Sequence, residues 1–181
     1  MSAVERCVLF LRAVNVSGRN RVPMAELRAL ITERLGIADV TTYIASGNVI
    51  VPEPDDPAAL CSKVRALISE AFDVDTPVIL RTRTELVAML EGNPFPDAAA
   101  DKLLHVMFLE GEAQPGAVEA LTDRLVEGER IALLGRELWI DYPAQGVHAT
   151  KLTRAVLDRA LGVEGTARNI RTVRTLVDLT A

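Results

Sequence analysis

The order in which hydrophobic periodicity changes along this chain restricts its fold more than any other feature. Residues 7–16 read as a strand, apolar on both faces through Leu11, followed by a Ser/Gly/Arg/Asn turn cluster at 17–21. Pro23 opens a helix on which Met24, Leu27, Leu30, Ile31 and Leu35 recur at helical spacing, and Gly36 ends it. Residues 40–44 and 49–51 are strand-like runs around a short Gly/Asn turn, which predicts a hairpin. Asp55 or Asp56 caps a second helix with Leu60, Val64, Leu67, Ile68 and Phe72 on one face, and residues 76–80 form the next strand. Thr84 caps a short helix over 85–90, and a stiff Pro-rich loop runs from 93 to 101. A strand at 103–109, a helix at 115–125, a hairpin of 130–134 with 137–141, a helix at 151–161 and an extended stretch at 166–170 then repeat the order. A helix over 173–179 closes the chain.

The order βαββαβ thus occurs twice. It predicts an α+β protein of two consecutive ferredoxin-like units with largely antiparallel sheets. The first unit spans residues 1–82, a helix and loop connect at 83–101, and the second unit with its terminal helix spans 102–181. One eight-stranded sheet and two four-stranded sheets that share strands both satisfy this order. The halves share too few residues to mark a duplication.

Composition narrows the function classes. Aromatic residues are only 4%, so the core is aliphatic, and two tyrosines cannot supply a stacking surface for RNA. A net charge of −5 disfavours nucleic acid and anionic lipid as partners. No apolar run approaches a membrane span, and residues 1–6 carry no secretory signal. Cys7 and Cys61 lack a CxxC partner, which predicts buried, reduced thiols in a cytoplasmic protein. No residues stand at metal-ligand spacing, and neither GxxxxGK[ST] nor GxGxxG is present, so no metal or cofactor is expected. His105 reads as a structural histidine and Trp139 as core.

Three segments remain as candidate sites. In a βαββαβ unit the loop after the first strand and the hairpin turn share one edge of the sheet. Residues 15–21 and 46–48 therefore come together, and both are rich in Gly, Asn and Ser. Exposed amides, a helix N-terminus and the guanidinium groups of Arg19 and Arg21 favour an anion. Plain turn chemistry accounts for each loop taken alone. The second segment, 142–152, holds His148, Thr150 and Lys151. A lysine at a helix start opposes the dipole and so invites a functional reason, against a solvated loop with Thr150 as cap. The third, 166–170 with Arg171 and Arg174, reads as a phosphate-binding patch or as an edge strand kept soluble by its charges.

At these same segments the chain resembles a bacterial family, domain-of-unknown-function family 1697. The matching pieces are LRAVNVSGRN at 11–20, VPMAELR at 22–28, TYIASGNV at 42–49, KL at 151–152 after a Tyr-Pro, and ARN at 167–169 before TV at 172–173. The resemblance implies a pair of ferredoxin-like units and no established activity, substrate or cofactor. It marks Arg12, Asn15, Gly18, Asn20, Ser46, Gly47, Asn48, Lys151, Arg168 and Asn169 as motif residues. The chain departs from the family pattern at Ala13 and Ser17, where glycine is usual, and at Ile170, where tryptophan is usual.

The leading expectation is a binding protein for a small anionic or polar ligand, a nucleotide or phosphorylated metabolite. Arg12, Asn15, residues 18–21 and residues 46–48 would hold it, with Lys151, Arg168 and Asn169 as further candidates. One alternative is an enzyme acting on such a ligand, with Lys151 or His148 in proton transfer or charge stabilisation. The other is a nucleic-acid or protein-interaction module using the arginines near Arg19 and Arg168.

Overall fold

The computed structural model describes residues 4–181; residues 1–3, part of the segment read as lacking a secretory signal, lie outside it. Fourteen elements follow in chain order: β1 (Arg6–Leu11), α1 (Met24–Leu35), β2 (Thr41–Tyr43), β3 (Asn48–Pro52), α2 (Pro57–Phe72), β4 (Val78–Thr82), α3 (Arg83–Glu91), β5 (Leu104–Leu109), α4 (Ala117–Thr122), β6 (Arg130–Leu134), β7 (Glu137–Asp141), α5 (Arg154–Leu161), β8 (Gly165–Asn169) and α6 (Ile170–Leu179). They build two four-stranded antiparallel sheets of identical topology, β2-β3-β1-β4 and β6-β7-β5-β8. Neither arrangement read from the sequence, one eight-stranded sheet or two sheets sharing strands, is adopted: the two sheets have no strand in common, because each central strand pairs only within its own βαββαβ unit. The chain divides into two compact units, Met1–Ala88 with Thr175–Ala181, and Met89–Arg174.

In the first unit Cys7, Leu9 and Leu11 of β1 face a core that also holds Leu27 and Ile31 of α1 and Leu60, Val64, Leu67 and Ile68 of α2. The alternate residues Val8 and Phe10 are buried as well, so the central strand is apolar on both faces. In the second unit Met107 and Leu109 of β5, with Leu138 and Ile140 of β7, pack with Leu121 of α4 and with Leu157 and Leu161 of α5. Trp139 is buried, as its hairpin position predicts.

Several boundaries differ from the sequence reading, each for a local reason. The first strand stops at Leu11, not Val16, because Ala13 and Asn15 take left-handed φ values of 54° and 55° that no strand accommodates. Pro23 is the residue before the first helix, with extended ψ, and Met24 is the first helical one. Asp56 rather than Asp55 caps α2, its carboxylate accepting from Ala59 N at 3.0 Å. Strand β4 lies two residues later than predicted, because Thr76 turns its hydroxyl onto the Arg12 backbone instead of joining the ladder. Thr82, not Thr84, caps α3: its hydroxyl accepts from Glu85 N at 3.1 Å while Glu85 Oε2 accepts from Thr82 N at 2.8 Å, a reciprocal capping box. Helix α5 starts at Arg154 behind a Thr153 cap, so Lys151 is not at a helix start and Thr150 is not its cap.

One backbone contact fixes where the first hairpin turn sits. Leu11 N donates to Gly47 O at 2.8 Å, continuing the β1–β3 ladder one residue beyond the Phe10–Asn48 pair. Gly47 has φ +92°, and a Cβ there would lie 2.7 Å from Leu11 Cβ and 2.8 Å from Val14 Cγ2. Gly47→Ala therefore combines steric overlap with a disfavoured φ and is expected to cost about 2–4 kcal/mol, read by urea denaturation. A loss below about 0.5 kcal/mol would show that the turn relaxes freely and does not hold this end of the sheet.

Candidate functional site

The antiparallel topology brings residues 12–23 and the turn at 44–47 together at one end of the first sheet. Asn15 is the clamp between them. Its side-chain amide donates to Val22 O at 2.9 Å and to Ala45 O at 2.8 Å, and its Oδ1 accepts from Val22 N at 2.8 Å. Its backbone N–H donates to Asn20 O at 3.0 Å, and Val16 and Arg19 pair as a tight bridge around Gly18. Asn20 Nδ2 donates to Ala13 O at 3.0 Å. Asn48 is wholly buried and donates to Tyr43 O at 2.9 Å and to Ser46 Oγ at 3.4 Å. Arg12 is anchored by a reciprocal pair of bonds between its backbone and Thr76 Oγ1. The side-chain amides of Asn15, Asn20 and Asn48 are thus committed to shaping the loops.

The loops they shape carry unusual backbone strain. Seven non-glycine residues among those described have left-handed φ, and five of them, Ala13, Asn15, Ser17, Asn20 and Ile44, lie in these two segments. Asn tolerates this region because its short amide bonds locally, whereas Ala and Ser hold it at about 1 kcal/mol each. This explains the two departures from the resembled family: Ala13 and Ser17 keep the conformation that glycine would adopt freely. Ile44 is the sharpest outlier, a β-branched residue at φ 52° whose side chain is nevertheless 48% exposed.

An open depression of about 470 Å³ adjoins the clamp, lined by Asn15, Arg21, Pro23, Met24, Thr42 and Ile44 among others. The N-terminus of α1 opens on it and has no side-chain cap. Thr42 Oγ1 accepts from Arg28 Nη1 at 2.6 Å, which leaves its own proton to donate. Arg19 and Arg21 are exposed, and neither guanidinium has a hydrogen bond or ion pair among the described residues. Sequence reading found the two loops but not Thr42 or Ile44, because nothing in residue type signals an isoleucine in left-handed conformation.

The second-half candidates fall out differently. His148 sits in a 3-10 turn, Val147–Ala149, and is exposed, as is Lys151; the water-excluding cleft that an acid–base role would need is not built around either. Thr150 Oγ1 accepts from Leu152 N at 3.1 Å. Arg168 is buried rather than presented as a surface patch, and burial pulls its guanidinium down to about 10. It donates to Thr166 Oγ1 at 2.8 Å and Ala167 O at 2.9 Å. Asn169 caps α6, its Oδ1 accepting from Thr172 N at 2.9 Å. Arg174 and Asp101 form an exposed ion pair at 3.3 Å. The sequence reading missed Arg81, buried on β4, although its alternation with Ile79 marks it as facing the same side.

His105 is the structural histidine expected. Nε2 lies 3.1 Å from Lys102 O and the ring meets Tyr142 edge-on at 4.9 Å. Burial lowers its pKa below the ordinary 6.5, so the folded state holds it neutral. The unfolded chain takes up a proton first as pH falls, so stability declines progressively below about pH 6.5. Urea melts between pH 7 and pH 5 should show this slope in the parent and a shallower one in His105→Gln; equal slopes would assign the acid sensitivity elsewhere. Separately, Asn15→Ala removes three bonds at once and is expected to cost about 2–3 kcal/mol by the same measurement. A loss within 0.5 kcal/mol would mean that other contacts hold the loops.

Comparison with known proteins places the chain. It is similar to "The structure of conserved bacterial protein SP0830 from Streptococcus pneumoniae", with 25% identity and a TM-score of 0.78 over 99% of this chain and 100% of that one. A comparison with curated proteins gave no match. The family model described as "Protein of unknown function (DUF1697)" matches residues 4–139, which takes in both loops of the first unit and stops short of Lys151 and Arg168. The chain belongs to that family.

Proposed function

We propose that the chain binds a small anionic or polar ligand, a nucleotide or phosphorylated metabolite, in the depression between residues 12–23 and the β2–β3 turn. The observation that carries this reading is the pair of unengaged guanidinium groups, Arg19 and Arg21, on a loop that the Asn15 and Asn20 bonds hold in a strained conformation. Arginine at an uncapped helix N-terminus favours phosphate or carboxylate, and Thr42 supplies a neutral donor. Asn15 and Asn48 act here by holding the loops, and contact with the ligand falls to Arg19, Arg21, Thr42, Ile44 and the α1 amides. We place the protein in the cytoplasm, a reading supported by Cys7 and Cys61, both of which are free thiols. No described helix is long and apolar enough to cross a membrane.

Thermal-shift screening against nucleotides and phosphorylated metabolites tests the reading, with Arg19→Ala/Arg21→Ala beside the parent. Because both side chains are exposed and unpaired, the double variant should melt as the parent does while losing every ligand-induced shift. A panel that stabilises neither protein, or both alike, removes the basis for the proposal. Asn48→Ala is unsuitable for this purpose, since it unmakes a buried bond and lowers stability by itself. Ile44→Asn gives an independent check. Relief of the left-handed β-branched residue should raise stability by about 1 kcal/mol, while loss of its side chain from the depression weakens binding. A variant with raised stability and full ligand response would assign Ile44 no part in binding.

A further inference from the structure

The second unit contains a cleft of about 450 Å³ between α4 and α5, lined by none of the residues considered above as candidates. Its origin is side-chain size. Gly116 and Ala120 face Ala155, Val156 and Ala160, and residues this small leave unfilled space between two helices. One end is closed by Gln114, whose backbone N–H donates to Leu161 O at 2.9 Å and whose Nε2 donates to the carbonyls of Arg159 and Ala160, both at 2.9 Å. These bonds tie the approach to α4 to the last turn of α5, beside the buried core that Ala117 and Leu121 share with Leu157 and Leu161. Arg124 and Arg159 also line the cleft. Both are exposed, and neither guanidinium has a hydrogen bond or ion pair among the described residues, in a chain that carries 25 acidic residues. Interaction with the α5 dipole accounts for a cation in that helix's last turn. The end of α4 does the same for Arg124, two residues past Thr122, but neither dipole requires that both guanidinium groups line one apolar cleft.

We propose that this cleft binds a small apolar molecule bearing a carboxylate, of the class of a medium-chain acyl anion. Hydrocarbon lies against Ala120, Ala155 and Val156, and the carboxylate is received by Arg124 or Arg159, whose fork geometry suits it. The volume falls in the range of about 300–1,000 Å³ typical of small-molecule sites. This cleft shares no lining residue with the depression of the first unit, and its ligand needs an apolar tail that the ligand proposed there does not.

Calorimetric titration with butanoate, hexanoate and octanoate, kept monomeric, tests the assignment, with octylammonium as the charge-inverted control. Affinity should rise by up to about fourfold for each added methylene, the increment for burying one CH2. Octylammonium should not bind. Arg124→Gln/Arg159→Gln should weaken octanoate on the order of tenfold, and Ala120→Leu/Ala155→Leu, which fills the cleft, should abolish it. All four residues are exposed, so melting curves of both variants should match the parent. Any of four results overturns the proposal: no member of the series binds, octylammonium binds as well as octanoate, the filled variant binds octanoate as the parent does, or an acidic amphipathic peptide binds where the acyl anions fail.

Discussion

The approach of Gly47 to Leu11 and Val14 is the contact on which the first unit's candidate site depends. The bond from Leu11 N to Gly47 O closes the β1–β3 ladder, and there is no room beside it for a side chain. Beyond this point the chain can no longer follow the sheet. It leaves by a sharp turn, with Ala13 and Asn15 left-handed, and returns to α1 through a loop that Asn15 ties to the hairpin turn. A glycine too close to its neighbours for any other residue thus sets the position of everything at that end of the sheet.

The second unit shows what this contact adds. There Leu109 N donates to Arg136 O at 2.9 Å, the same bond at the same place in the topology, with Phe108 and Glu137 paired as Phe10 and Asn48 are. The residue matching Gly47 is an arginine, so no close approach forces the chain aside. Other features do repeat. Arg81 and Arg168 are both buried on the edge strand, opposite Val8 and Val106, and each donates to the carbonyl of the residue before it. Thr82 and Asn169 each end that strand and cap the next helix. The two halves share these devices while sharing few residues, because a fold answers to periodicity and capping more than to identity.

Within the first site, residues divide by what they can still offer. Asn15, Asn20 and Asn48 spend their amides on backbone carbonyls, where an unmet group would be costly, and so behave as part of the scaffold. Arg19 and Arg21 are left over, exposed and unengaged, on loops kept in a high-energy conformation by that scaffold. The asparagines of the motif are therefore scaffold, and the donors still free beside them are Arg19 and Arg21. A motif can mark a position because it builds a shape, with the chemistry carried by neighbours that any turn might contain.

The sequence alone determined the order of elements, the α+β class, the aliphatic core and the meeting of the two polar loops. All of these follow from hydrophobic period and the alternation of strand direction, which are local properties summed along the chain. Helix ends at Gly36 and Gly162, the half-buried histidine and the buried tryptophan were legible for the same reason. Tertiary structure decided the rest. Whether Arg168 faced solvent or the interior depended on which side of β8 was covered, which its own segment does not encode. Whether Asn48 met a ligand or Tyr43 depended on a carbonyl five residues away in a hairpin of particular register. Whether Ile44 was core or displayed depended on a φ value imposed by the turn that surrounds it. Side-chain direction, commitment of donors and the space left between helices are relations among distant residues, and they exist only once the chain has packed.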